Sequence, residues 1–95
     1  MNALPELTEA WLDAAGLDQL FAELAQSAIV RQVRVKGAAA RMAERGAVPL
    51  ELALARLRAG EVHAVQIVYD FDGATFCDTV TAREGAWRVC RMQTP

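Results

Sequence analysis

The residues best suited to chemistry are one histidine, two cysteines and one acid–base pair in the last third of the chain. A metal site needs at least three donors that converge. Read as strand positions, His63 shares the parity of Val65 and Ile67, whereas Cys77 and Cys90 fall on the opposite face, so these three cannot meet. No metal and no cofactor are expected. The expected register places Cys90 opposite Thr79 and only diagonal to Cys77, at roughly 7 Å where bridged Cβ atoms need about 4 Å. Both thiols are therefore expected to be free. Asp78 and Arg91 are expected opposite one another in adjacent strands, with Ile67 and Tyr69 beside them. A carboxylate and a guanidinium in a partly buried concavity can orient a small ligand, and the acid can serve as a base. The plainer alternative is a cross-strand ion pair. No histidine, serine or second carboxylate accompanies them, so nucleophilic catalysis has no support and no enzymatic activity is expected. The six glycines sit at element boundaries or turns, and none belongs to a phosphate-cradling loop. Trp11 and Trp87 read as core anchors.

The elements that position these residues follow from periodicity. Over 5–26, Leu7, Trp11, Leu12, Leu17, Leu20, Phe21 and Leu24 recur at helical spacing with acids mostly on the other side, which predicts amphipathic helix with a break near Gly16 and Asp18 as a second cap. A β-branched alternation over 28–36, closed by Gly37, predicts a strand. Helices are expected over 38–59, a short alanine-rich one stopped by Gly46 and a second opened by Pro49 and ended by Gly60. Over 62–92 the pattern predicts a three-stranded meander turned at Asp72-Gly73 and Glu84-Gly85. That register sets Tyr69 opposite Phe76, Ile67 opposite Asp78, Val80 opposite Val89, and Arg91 opposite Asp78. Its apolar face meets the helices, while Gln66, Val68, Asp70, Thr75, Cys77, Thr79, Thr81, Arg88, Cys90 and Met92 share the other face, which is either solvated or an interface.

Ninety-five residues suit one domain spanning 1–95. Of the apolar residues 19 are alanine, so the larger hydrophobic side chains that build a core number only 32. Such a core has little surplus stability, and a homo-oligomer is a natural supplement. Strong disorder and membrane spans are excluded, because hydrophobicity is too high for the first and no apolar run reaches about 18 residues for the second. The amino terminus has no basic residue before Arg31 and no signal-peptide apolar region, so a cytoplasmic location is expected. Nine arginines to one lysine, with so much alanine, match the usage of high-GC bacterial genomes.

The net charge of −2 hides a segregation. Residues 1–26 hold five acids and no base, 27–60 hold seven bases and two acids, and 61–95 hold three bases and five acids. Either the acidic helix pairs with the basic middle, or Arg41, Arg45, Arg56 and Arg58 form a surface for an acidic partner.

The element order, with 37–60 as two helices and the Asp72-Gly73 hairpin following, resembles a winged helix-turn-helix, which implies a recognition helix at Pro49–Ala59 and DNA as partner. That helix offers base edges Leu50, Glu51, Leu52, Ala53, Leu54 and Ala55, and the wing tip carries Asp70 and Asp72, which phosphates repel. Nucleic acid is therefore the disfavoured alternative. The ending Arg83-Glu84-Gly85-Ala86-Trp87-Arg88-Val89 is similar to the closing hairpins of cystatin-like and NTF2-like domains, which implies a curved sheet with a small-ligand pocket or a dimerising face. The reading adopted is an α+β protein, two to four helices packed on one face of an antiparallel sheet ending in the meander. Its expected role is that of a non-enzymatic adaptor that binds a protein partner or its own copy. Arg41, Arg45, Arg56 and Arg58 are the expected partner-binding residues, and Asp78, Arg91 and Tyr69 the expected pocket.

Overall fold

The computed structural model describes residues 8–37 and 48–94. It is an α+β structure of two helices and a five-stranded antiparallel sheet. In chain order the elements are β1 (Glu9–Leu12), α1 (Ala14–Ser27), β2 (Ile29–Lys36), α2 (Leu50–Arg58), β3 (Ala64–Phe71), β4 (Ala74–Arg83) and β5 (Ala86–Thr94). Across the sheet the strand order is β1-β5-β4-β3-β2.

The start of the chain departs from the helix expected over 5–26. Within the described residues, Glu9–Leu12 is a strand that pairs with β5, Glu9 opposite Cys90 and Leu12 opposite Trp87. The backbone carbonyl of Thr8 extends the pairing by accepting from Arg91 N at 2.8 Å. Period two then replaces period 3.6, so Ala10 and Leu12 turn toward the core while Glu9 and Trp11 turn away. Trp11 is consequently 59% exposed and not a core anchor. Nor is there a break at Gly16. The Asp13 side chain caps α1 by accepting from Gly16 N at 2.8 Å, and the helix runs on unbroken to Ser27. Gly16 is thus a first-turn residue bonded to the cap, and Asp13 does the capping expected of Asp18.

The α2 helix begins after Pro49, whose fixed φ suits a helix entry, with Glu51 in its first turn and Arg56 and Arg58 in its last. The expected helix from Ala38 to Arg45 lies outside the described residues. At the end of β2, Gly37 adopts φ +138°, and a Cβ there would sit 2.6 Å from the backbone nitrogen of His63. That nitrogen donates to Lys36 O at 2.8 Å, so only glycine lets the two segments close up.

The consecutive hairpins of β3, β4 and β5 have the expected registers: Tyr69 pairs with Phe76, Ile67 with Asp78, Val80 with Val89, and Arg91 with Asp78. Both turns place a non-glycine and then a glycine at positive φ, Asp72-Gly73 and Glu84-Gly85, the geometry that matches strand twist in two-residue hairpins. At the other edge, β2 pairs with β3 and bulges between Val30 and Gln32, so Arg31 is the extra residue.

Both helices lie on one face. Leu17, Leu20, Phe21 and Leu24 of α1 and Ala53 and Leu57 of α2 pack with Val33, Val35, Val65, Ile67, Tyr69, Val80 and Val89 of the sheet. Among the described residues no helix is long and apolar enough to cross a membrane.

Candidate functional site

Within the covered face lies one polar network. Asp78 is fully buried, Arg91 is 6% exposed and Tyr69 is 1% exposed. The Arg91 guanidinium grips the carboxylate from the side, Nε donating to Asp78 Oδ1 at 2.9 Å and Nη2 to Oδ2 at 2.8 Å. The Tyr69 hydroxyl also donates to Oδ1, at 2.9 Å. The Arg91 guanidinium carbon lies 5.9 Å from the Tyr69 ring centroid, and that ring stacks on Phe76 at 5.6 Å. Each strand supplies one corner, β3 Tyr69, β4 Asp78 and β5 Arg91. Burial and the adjacent carboxylate together push the Tyr69 hydroxyl pKa far up, so it stays a donor at any ordinary pH. For Arg91, burial works against the charge, but the hydrogen bond and Coulomb attraction of Asp78 outweigh it and hold the proton more tightly than usual. The carboxylate's two oxygens are thus engaged by fixed donors, the arrangement that makes a buried charge tolerable.

Asp78, Arg91 and Tyr69, read from the sequence as a pocket, are therefore together but covered. Two cavities are lined by described residues, and none of the three lines either. One, of about 490 Å³, lies between α1 and α2 and is lined by Phe21, Ala25, Val30, Leu50 and Leu54, with Asp18 and Glu51. The other, of about 360 Å³, lies between the end of α2 and the β4–β5 turn, beside Arg58, Arg83 and Trp87.

Of the four arginines singled out by the sequence, Arg41 and Arg45 lie outside the described residues. Arg58 donates to both Asp18 oxygens, at 3.0 and 2.9 Å, which ties α2 to α1. Arg56 sits 3.4 Å from Glu61 just beyond its own helix. Acidic helix and basic middle do meet at Asp18 and Arg58, an internal pairing rather than an open stripe at that point.

The opposite sheet face is the other candidate. Among the described residues neither helix packs on it. Strand pairing lays its side chains out in rows across the sheet: Glu9, Cys90, Thr79, Gln66 and Arg34 form one, and Trp11, Arg88, Thr81, Ala64 and Lys36 the next. A third row holds Met92, Cys77, Val68 and Gln32. The centre is neutral and built of threonine, cysteine, valine and glutamine, and Trp11 and Met92 stand exposed toward one side. Charge lies on or next to the edge strands. Glu9 is ion-paired with Arg88. Asp70 receives Arg31 Nε at 2.6 Å and the Thr75 hydroxyl at 2.8 Å, and these two hydrogen bonds lower its pKa. Arg34 and Lys36 have no carboxylate partner among the described residues; Gln32, with its amide oxygen turned toward Arg34, accepts from Arg34 Nε at 3.1 Å.

Cys77 and Cys90 are free thiols on this face. Partial burial raises the Cys77 pKa, with a Thr79 hydrogen bond acting the other way, so Cys77 is a weaker nucleophile at neutral pH than an ordinary thiol. His63 precedes β3 and is exposed, not under the helices. Among the described residues no three of His, Cys, Asp and Glu are grouped so that they could hold a metal ion. Sequence reasoning missed the contributions of β1 and β2 to the open face. The signal available was the alternation of Arg34 and Lys36 against Val33 and Val35, which already set those two cations opposite the core.

Fold and site together define an α+β protein whose sheet is covered by two helices on one face and, among the described residues, left open on the other. No family model, no curated protein and no solved structure matches the chain.

Proposed function

We propose that this protein is a non-enzymatic binding module that acts through protein–protein contact at the open sheet face. The observation that carries the reading is the make-up of that face. Five strands present a neutral, threonine-rich centre with exposed Trp11 and Met92 on one side and, on the other, the cations Arg34 and Lys36, which have no carboxylate partner among the described residues. Interfaces are depleted of charged residues at their core and enriched in aromatic residues, methionine and arginine, and this face combines an uncharged middle with Trp11, Met92 and Arg34. Supporting it from the other side, the acid–base pair is buried, and both carboxylate oxygens are taken up by hydrogen bonds from Tyr69 and Arg91.

The test compares wild type with Thr79→Arg, which plants a charge at the middle of the face. Wild type is expected to associate, with itself or with a protein retained on a column, and Thr79→Arg to lose that association while keeping its circular dichroism. Association that survives Thr79→Arg unchanged contradicts the reading. Binding to duplex DNA that weakens steeply with salt would favour the nucleic-acid alternative instead.

A further inference from the structure

We propose that the partner seated on the open face is a second copy of this chain, packed sheet to sheet about a twofold axis running along β4. This rests on the reading of that face as a binding surface, and commits it to one occupant. The order of residues along the rows points to such a pairing. Two of the three begin on β1 and end on β2, with β4 in the middle. One row runs from Glu9 through Thr79 to Arg34, the next from Trp11 through Thr81 to Lys36. A twofold axis parallel to β4 lays β1 over β2 of the second copy and keeps the level along the strand. Glu9 then faces Arg34 of the other copy, and Trp11 faces its Lys36. Both cations, which have no carboxylate partner among the described residues, acquire a complement, an ion pair and a cation–aromatic contact, and each is made twice. Glu9 keeps Arg88 as well, since a carboxylate accepts from more than one donor.

The rest of the face agrees. Thr79 and Thr81 meet their own copies on the axis, Cys90 faces Gln66, Met92 faces Val68, and the long Arg88 faces the small Ala64. Aligned sheets pack with a rotation of about 30°, which displaces residues two strands from the axis by roughly 5 Å, within the span of arginine and lysine side chains. The alternative twofold, perpendicular to the strands, sets β2 against β2 and gathers Arg31, Arg34 and Lys36 of both copies in one place, a like-charge arrangement. Charge therefore selects the first axis. At about 4.8 Å between strands and 3.4 Å per residue, the face measures roughly 24 by 24 Å, so two copies bury on the order of 1,200 Å², the lower end for a specific interface. A reversible dimer follows, not a permanent one.

Sedimentation equilibrium of the full chain over the micromolar range tests this. Wild type is expected to show a monomer–dimer equilibrium that weakens with salt, and Thr79→Arg to be monomeric. Arg34→Glu sets an acid against Glu9 at two symmetric places and is expected to weaken the dimer by about tenfold or more. Because Arg34 is exposed at the sheet edge, this variant serves even if Thr79→Arg does not fold. A dimer that tightens in Arg34→Glu overturns the proposed axis. A wild-type chain that stays monomeric throughout overturns the second copy. If that monomer retains another protein which Thr79→Arg releases, the binding-surface reading survives without the dimer, and if it retains nothing, both fall.

Discussion

On β4, Asp78 and Thr79 are neighbours in sequence and lie on opposite faces of the sheet. Asp78 is fully buried and receives hydrogen bonds from Tyr69 and Arg91. Thr79 is part-exposed between the neutral Cys90 and Gln66, on the face over which, among the described residues, neither helix lies. The covered face holds its charge at the centre, walled by apolar residues and fixed by hydrogen bonds. The open face holds its charges on or next to the edge strands, in ion pairs that water reaches or, among the described residues, with no carboxylate partner. A central buried pair ties three strands into one register, whereas marginal charges leave the middle of a sheet free for contact. The difference separates what holds the fold from what is available to a partner.

Breaking the covered face has the largest expected effect. Asp78→Ala removes the buried carboxylate to which Arg91 and Tyr69 both donate and is expected to cost about 3–5 kcal/mol, read from urea unfolding. A loss below about 1 kcal/mol would mean that the pair is incidental to the register. Tyr69→Phe removes one donor while Arg91 still holds the carboxylate, so a loss near 1 kcal/mol is expected by the same assay. One residue further along β4, Thr79→Ala is expected to change monomer stability by less than about 1 kcal/mol, measured at low protein concentration. A comparable loss at Thr79 and Asp78 would erase the distinction between the faces.

The smallest effect concerns Asp70 on the open face. Hydrogen bonds from Arg31 and Thr75 depress its pKa, so its contribution to stability is present above the ordinary carboxyl range and fades as pH falls through the depressed value. Arg31→Ala is expected to move the Asp70 midpoint upward, toward that of an ordinary aspartate, in an NMR titration. An unchanged midpoint would show that the marginal pairs are not formed in solution.

Much of the covered face was legible in the sequence, because hairpin registers are local. Asp72-Gly73 and Glu84-Gly85 determine which residues face one another, and from them the meeting of Asp78 with Arg91 follows by counting. The open face was legible only in part. Its middle came from the same counting, but its two margins belong to β1 and β2, whose places depend on long-range pairing. β1 has only four residues, too few to distinguish alternation from a helical repeat, and its Trp11 and Leu12 fit the helix pattern equally well. What makes it a strand is the free edge of β5, which no local signal in Glu9–Leu12 announces. The Gly16 break was misplaced for a related reason: Asp13 caps the helix three residues before the glycine.

The central claim, that a second copy of the chain covers the open face, is tested most directly at Cys77, which lies near the middle of that face. In a Cys90→Ser background, the rate of Cys77 alkylation is measured at mildly alkaline pH over a range of protein concentrations. The expected result is a rate that falls as concentration rises, as a second copy shields the thiol, and that returns to the dilute value in Thr79→Arg. A rate independent of concentration, alike in both chains, would contradict it.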